Sequence, residues 1–160
     1  MVKELKMVLF YTKNKSVHIY EDKKNKILTA KASMEDFFFK GEVELDVKIS
    51  GMEILRINGK IERSISKSCD VFLKKLDDII GIRISSGLTK KIMKLANGIE
   101  GCNYLASLVL ECCEGCILAL TVKPLERAVP EIKKMKNLTP KMLVNFMPNM
   151  KNSCLAFKVD

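Results

Sequence analysis

The sequence contains a single histidine, His18, and none of the common nucleotide-binding or hydrolase motifs. Zinc sites with two histidine ligands are therefore excluded, as are most metallohydrolase sites. The absence of GxGxxG, Walker and GxSxG segments argues against dinucleotide, phosphate-loop and serine-hydrolase chemistry. Cys102 as a nucleophile would need a general base, and pairing it with His18 requires a contact in space. The sequence therefore leaves open whether the protein is an enzyme and favours a non-catalytic role.

Arginine is scarce although the net charge is +9. Of 28 basic residues, four are arginine, and the lysines are interspersed with acidic residues. Planar, bidentate recognition of bases and phosphates favours arginine over lysine. We therefore do not expect nucleic acid as a partner, and the alternative is a lysine-rich solvated surface that reflects compositional bias. The partner that we expect is a protein, and in the interaction-module interpretation the basic surface meets an acidic partner.

Long hydrophobic runs are also missing near the N-terminus. The apolar run at residues 7–11 is too short for a signal peptide. The most apolar window, residues 105–122, has Glu111 and Glu114 on the opposite helical face, which predicts an amphipathic helix and no membrane span. With 48% hydrophobic residues in 160, we expect one domain over residues 1–160, located in the cytoplasm. Six cysteines in that compartment favour reduced thiols or ligands over a disulfide framework.

Hydrophobic residues alternate with polar ones through the first half of the chain, from about residue 6 to residue 63. This period of two predicts strands. The clearest cover residues 28–35 and 42–49, and shorter ones cover residues 7–11, 16–20 and 53–61. Short connections favour an antiparallel meander.

The period becomes helical after Ser66 and stays so through most of the second half, about residues 68–148. Ser68 is the predicted N-cap of a helix that Gly81 ends. Further helices are predicted at residues 88–96, 98–120 and 126–136. A last helix is predicted to begin at Thr139 and Pro140 and to end by Pro148, and a final strand is predicted at residues 154–159. The expected fold is α+β, an antiparallel meander sheet covered on one face by the C-terminal helices.

Cysteines mark the starts of two predicted helices. Cys69 and Cys102 each lie in a first turn, where free N–H groups and the helix dipole favour a thiolate. We therefore predict a metal site at Cys69 and Cys102, with a third ligand from Cys112 or Cys113. The alternative is that all of these are small packing residues, which suits the helix interior of Cys112, Cys113 and Cys116 especially.

Three consecutive phenylalanines, at positions 37–39, form the main aromatic cluster. Alternation along a strand would place the middle ring on the opposite face from its neighbours, so that at least one ring is exposed. We predict a binding surface at Phe38, with the neighbouring Lys40 and Glu42. The alternative is that the rings belong to the core.

From about His18 to Leu120 the chain resembles a prokaryotic family known only as a domain of unknown function. The resemblance rests on the strand at residues 42–49, the Cys69 region, the GIRISSG turn and the segment GIEGCNYLASL. It implies a fold and no established activity.

The layout of strands followed by two helices that begin with cysteine also resembles, more distantly, the NifU/IscU-type iron–sulfur cluster scaffold proteins. In that comparison Cys69 and Cys102 match two of the three cluster-ligating cysteines, and Lys40 stands where the third is expected. The resemblance implies a scaffold-like or accessory protein that handles metal, an iron–sulfur cluster or sulfur, with zinc or a cluster as cofactor. The alternative function is a protein-interaction or ligand-binding module with structural cysteines.

Overall fold

The structure, a computed structural model, describes residues 8–97, 101–132, 139–146, 148, 151–152 and 158. Within these residues four strands come first and four α-helices follow, which confirms the α+β class. The chain divides into two compact units, Met1–Gly115 and Cys116–Asp160. A single domain over residues 1–160 stays a prediction.

The four described strands form one antiparallel sheet in which consecutive strands are neighbours, as expected for a meander. Their bounds are β1 (Asn14–Asp22), β2 (Ile27–Glu35), β3 (Phe39–Lys48) and β4 (Glu53–Ser64). Every second residue of β2 and β3 is buried, so the sheet has one packed face and one solvated face. The buried residues of the two strands are Leu28, Ala30, Ala32, Met34, Phe39, Gly41, Val43, Leu45 and Val47.

The strand predicted at residues 7–11 is wrong for its described part, because residues 8–13 have no regular structure. The reason lies in the partner strand. Asn14 pairs with Glu35, where β2 ends, so the residues before Asn14 have no described strand to pair with. Instead, the Tyr11 hydroxyl donates a hydrogen bond to the Asp36 carboxylate, at 3.0 Å.

The first helical segment is shorter than predicted. Helix α1 spans Ser68–Lys74, and a 3-10 turn follows at Leu76–Ile79. Ser68 is not the N-cap: it is the first helical residue, and its N–H donates to the Ser66 hydroxyl at 3.3 Å. Helix α2, at Leu88–Ala96, has the predicted bounds.

Helix α3 spans Asn103–Ile132 and is longer than predicted. At the start of the helix, the N–H of Ala106 donates a hydrogen bond to the carbonyl of Cys102, the residue before α3, at 3.0 Å. Pro124 does not end it, so the separate helix predicted from residue 126 is part of α3 as far as Ile132. A proline inside a helix costs about 3 kcal/mol, which the many remaining hydrogen bonds of so long a helix offset.

Helix α4 covers Pro140–Phe146. The Thr139 hydroxyl accepts a hydrogen bond from the N–H of Met142, at 3.3 Å, which confirms Thr139 and Pro140 as the helix start. The predicted strand at residues 154–159 falls almost wholly outside the described residues.

The first part of α3 packs on the inner face of the sheet. The Tyr104 ring stacks on Phe39, with centroids 4.7 Å apart, and the Cys112 thiol donates to the carbonyl of Val43 at 3.7 Å. By length and composition alone, Asn103–Pro124 is apolar enough to cross a membrane, a test that the core helices of soluble proteins also pass. The cytoplasmic location stays a prediction.

Candidate functional site

Cys69 and Cys102 are joined by a disulfide bond, with their Cα atoms 4.8 Å apart across 33 positions of sequence. Each residue is only 2% exposed. The structure thus brings together the two cysteines that the sequence singled out. It places them in the core, whereas a scaffold site requires accessible thiols.

Local backbone contacts explain the position of each cysteine. The N–H of Cys69 donates to the carbonyl of Ser66 at 3.2 Å, in the turn that begins α1. Cys102 immediately precedes α3, and Gly101 before it lies directly against the backbone of Ala96, where a Cβ atom would overlap the Ala96 carbonyl. Only glycine permits this approach, so Gly101 brings the end of α2 and the start of α3 together.

The predicted metal site at Cys69 and Cys102, for a zinc ion or an iron–sulfur cluster, stays a prediction. Structural zinc takes four ligands and clusters are usually held by four thiolates. In the described part of the chain, no group of three or more His, Cys, Asp or Glu side chains could hold a metal ion. Cys112 and Cys113 lie about 15 Å along α3 from Cys102 at 1.5 Å per residue, so an ion at the pair would need other ligands.

The remaining described cysteines are core residues. Cys112, Cys113 and Cys116 are buried. Burial raises the pKa of the Cys116 thiol to about 11, which keeps it protonated at neutral pH. A protonated, inaccessible thiol is neither a nucleophile nor a ready metal ligand.

The three phenylalanines separate into core and surface. Phe39 is fully buried, whereas Phe37 is 78% exposed and Phe38 is 41% exposed. The exposed rings contact each other edge to face, with centroids 5.1 Å apart. Phe38 therefore lies at the surface, as its predicted role in binding requires, and the binding itself stays a prediction.

The exposed rings border an apolar groove at one end of the sheet, with a cavity of about 670 Å³. We call this the aromatic groove. Leu9 and Phe10, both more than four-fifths exposed, supply its other apolar surface. Its lining residues are Leu9, Phe10, Tyr11, Thr12, Asn14, Glu35, Asp36, Phe37, Phe38 and Arg63.

Asp36 organises the groove. Its carboxylate accepts hydrogen bonds from the N–H groups of Phe38 and Phe39, both at 2.8 Å, and from the Tyr11 hydroxyl. Its carbonyl accepts a hydrogen bond from Arg63 at 2.6 Å. Asp36 therefore links the β2–β3 turn to the N-terminal segment and to the end of β4.

The same contacts set the charge of Asp36. Burial alone would raise the pKa of its carboxyl group, but the hydrogen bonds from Phe38, Phe39 and Tyr11, together with the charge of Lys13, outweigh burial and lower the pKa. The carboxylate is thus ionised at neutral pH. Sequence reasoning missed Asp36, Tyr11 and Arg63, although an aspartate directly after a strand is a recognisable turn signal.

Lys40 and Glu42 lie elsewhere. They follow the groove along β3 but project from the solvated face of the sheet, where Lys40 pairs with Glu62 at 3.0 Å. Both line a separate shallow cavity of about 300 Å³ with polar residues of β1 and β2. The predicted binding surface therefore divides between two places, Phe38 in the aromatic groove and Lys40 with Glu42 on the sheet.

Comparison with known proteins identifies a family without assigning an activity. Neither the curated proteins nor the solved structures include a significant match to this chain. The more distant resemblance to iron–sulfur cluster scaffolds therefore gains no support. One family profile, described as "Protein of unknown function (DUF2889)", matches residues 14–116, which include the whole sheet, both bonded cysteines and the first part of α3. The chain therefore belongs to the DUF2889 family of proteins of unknown function.

Proposed function

We propose that this protein is a non-catalytic interaction module that binds a segment of a partner protein in the aromatic groove. The observation that carries the proposal is the exposure of Phe37 and Phe38 beside a cavity of about 670 Å³. Soluble proteins seldom expose contiguous aromatic surface unless it meets a partner. The buried Cys69–Cys102 bond serves here as a structural link.

The charge of the chain indicates what the partner segment carries. The protein has a net charge of +9, and Arg63 lies at the rim of the groove. Two acidic residues line the groove: Asp36 is already engaged by three hydrogen bonds, and Glu35 pairs with Arg63 at 3.6 Å. A segment with apolar side chains and acidic neighbours complements this surface, because opposite potentials steer association.

Anilinonaphthalene sulfonate (ANS) tests the groove directly, because it is both aromatic and anionic and fluoresces on apolar surfaces. The double variant Phe37→Ala/Phe38→Ala should bind ANS about threefold or more weakly than the parent protein, since it removes two exposed rings. The matched control is Ile80→Ala, which shortens a side chain 44% exposed outside the groove. Equal ANS binding by the parent and the double variant would refute the groove as a binding site.

A second candidate function is thiol chemistry at Cys69 and Cys102, favoured by the bond that joins them. On reduction the two adjacent thiols would handle sulfur or contribute two ligands to a metal completed by a partner. The test is metal and acid-labile sulfide content after anaerobic purification of the parent, Cys69→Ser and Cys102→Ser proteins. Stoichiometric metal that both variants lose would support this function, and no metal in any of the three would oppose it.

A further inference from the structure

The two edges of the sheet differ in how they are protected. The edge at β4 is covered at its beginning by residues 81–84: the N–H of Ile54 donates to Ile82 at 3.0 Å, and the N–H of Gly81 donates to Ile54 at 2.8 Å. The β3–β4 pairing also has two register shifts. Covered and irregular edges of this kind resist pairing with another chain.

The edge at β1 has neither protection. All nine residues of β1 pair with β2 without a register shift, and β1 contains no proline. Among the described residues, none outside β2 makes a backbone hydrogen bond to β1. Val17 is 36% exposed and Tyr20 is 55% exposed. A long, regular, exposed edge strand is a template for another strand.

The sequence of β1 is complementary to itself when two copies run antiparallel about His18. Lys15 of one copy then lies opposite Glu21 of the other, and Val17 lies opposite Ile19. Oppositely charged pairs and apolar pairs that face each other across two antiparallel strands each stabilise the pairing of the strands. Continued beyond β1, the same register would place Lys13 of one copy opposite Lys23 of the other. Both lysines lie outside β1, so the pairing of the strands does not bring these like charges together.

We propose that β1 pairs with β1 of a second copy, antiparallel and centred on His18, so that the two sheets become continuous. Lys15 already contacts Glu111 at 2.7 Å and Ser107 at 3.0 Å. The Lys15 side chain remains about one-third exposed and its ammonium group has three donors, so it can also bind a carboxylate across the new edge. This interface shares only Asn14 with the aromatic groove and does not depend on the proposed function.

Cysteine cross-linking tests the register, because the proposed geometry permits some pairs and forbids others. Residues directly opposite each other in antiparallel strands have Cα atoms about 4.5–5.5 Å apart, within the range of a disulfide. The two copies of residue 18 are opposite each other. The two copies of residue 16 are offset by four residues, about 13 Å along the strand, which is too far.

The experiment oxidises full-length variants with oxidised glutathione, which forms one disulfide from two thiols and releases two reduced glutathione molecules. His18→Cys should cross-link to itself. Ser16→Cys alone and Tyr20→Cys alone should not, whereas a mixture of these two variants should. Failure of His18→Cys to cross-link, or equal cross-linking by all three single variants, would overturn the proposal. The parent protein, with its native cysteines, gives the background.

Charge reversal provides a second test that does not depend on cysteine chemistry. Glu21→Lys places a positive charge opposite Lys15 of the other copy, and the two-fold axis makes this repulsion occur twice. The substitution should therefore raise the dissociation constant of the dimer about tenfold. The double variant Lys15→Glu/Glu21→Lys should recover part of that loss, measured by sedimentation equilibrium. A parent protein that sediments as a monomer at all concentrations, or charge variants that associate as the parent does, would contradict the proposed register.

Discussion

Asp36 decides the local conformation of the candidate binding site. Its buried carboxylate holds the N–H groups of Phe38 and Phe39, which turns one ring outward and the other into the core. It also holds Tyr11 at the side of the groove. A single side chain therefore determines both walls of the aromatic groove.

The lowered pKa of Asp36 makes its contribution to stability dependent on pH. Its pKa in the folded protein lies below the unfolded value, so the contribution is present above the unfolded pKa and is lost as pH falls through the folded pKa. Asp36→Ala should lower the free energy of unfolding at pH 7 by about 1–3 kcal/mol, because the buried N–H of Phe39 and the partly buried N–H of Phe38 lose their acceptor. Urea unfolding of the parent and of Asp36→Ala, from pH 7 down to about pH 3, measures the difference in their free energies of unfolding.

The difference between parent and Asp36→Ala should shrink as the pH falls below about 4. A difference between parent and Asp36→Ala that stays constant over this range would contradict the assigned charge of Asp36.

Two glycines that face side chains, Gly41 and Gly115, should lose different amounts of stability when replaced by alanine. A Cβ atom at Gly41 would lie 2.7 Å from the Phe39 ring and 2.8 Å from the Lys60 carbonyl, so backbone would have to move. Gly41→Ala should lower the free energy of unfolding by about 1–3 kcal/mol. In Gly115→Ala the nearest atom is the end of Ile19, at 2.8 Å, which can rotate away.

Gly115→Ala should therefore cost less than Gly41→Ala, because alanine also gains about 0.5–1 kcal/mol of helix propensity in α3. Thermal unfolding of both variants measures the comparison. If Gly115→Ala is the more destabilising of the two, the packing described for β1 or for β3 is wrong.

At the scale of elements, the Cys69–Cys102 bond connects α1 to the start of α3 and closes a loop that contains α2. Helix α1 has seven residues, too few to be stable alone, and packs through Leu73 against Gly59 of β4. The bond therefore stabilises a part of the fold that has little regular structure of its own.

Removing the disulfide should lower stability by an amount set by the loop. For a loop of 33 positions, chain entropy predicts a loss of about 3–4 kcal/mol in Cys69→Ala/Cys102→Ala relative to the oxidised parent. Urea unfolding with and without a reducing agent measures it. The reduced parent should approach the variant in stability, and a parent that is indifferent to reduction would show that the bond is not formed in solution.

At the scale of the whole molecule, net charge and an exposed apolar groove together favour an acidic, apolar partner. A synthetic peptide of leucine and glutamate should bind more tightly than a matched peptide of leucine and lysine. The difference should shrink as salt rises from about 0.05 to 0.5 M, because salt screens exposed charges. Fluorescence anisotropy of the labelled peptides measures both, and tighter binding of the lysine peptide would contradict the proposed charge of the partner.

The site was only partly predictable from sequence. Cys69 and Cys102 were singled out because both stand at helix starts, a local signal, but their burial and their bond depend on how α1 and α3 pack. Phe38 was singled out by alternation along a strand. Tyr11 and Arg63 carry no local signal, since each meets Asp36 from a position more than 20 residues away.

The sequence by itself determined that the strands precede the helices, which face of β2 and β3 is buried, and the bounds of α2. Each of these follows from hydrophobic period, short turns and helix-stop residues, which act between neighbours in the chain. Only the tertiary structure decided the disulfide, the division of the phenylalanines between core and surface, and the aromatic groove. These depend on contacts between residues far apart in sequence, which no local pattern specifies.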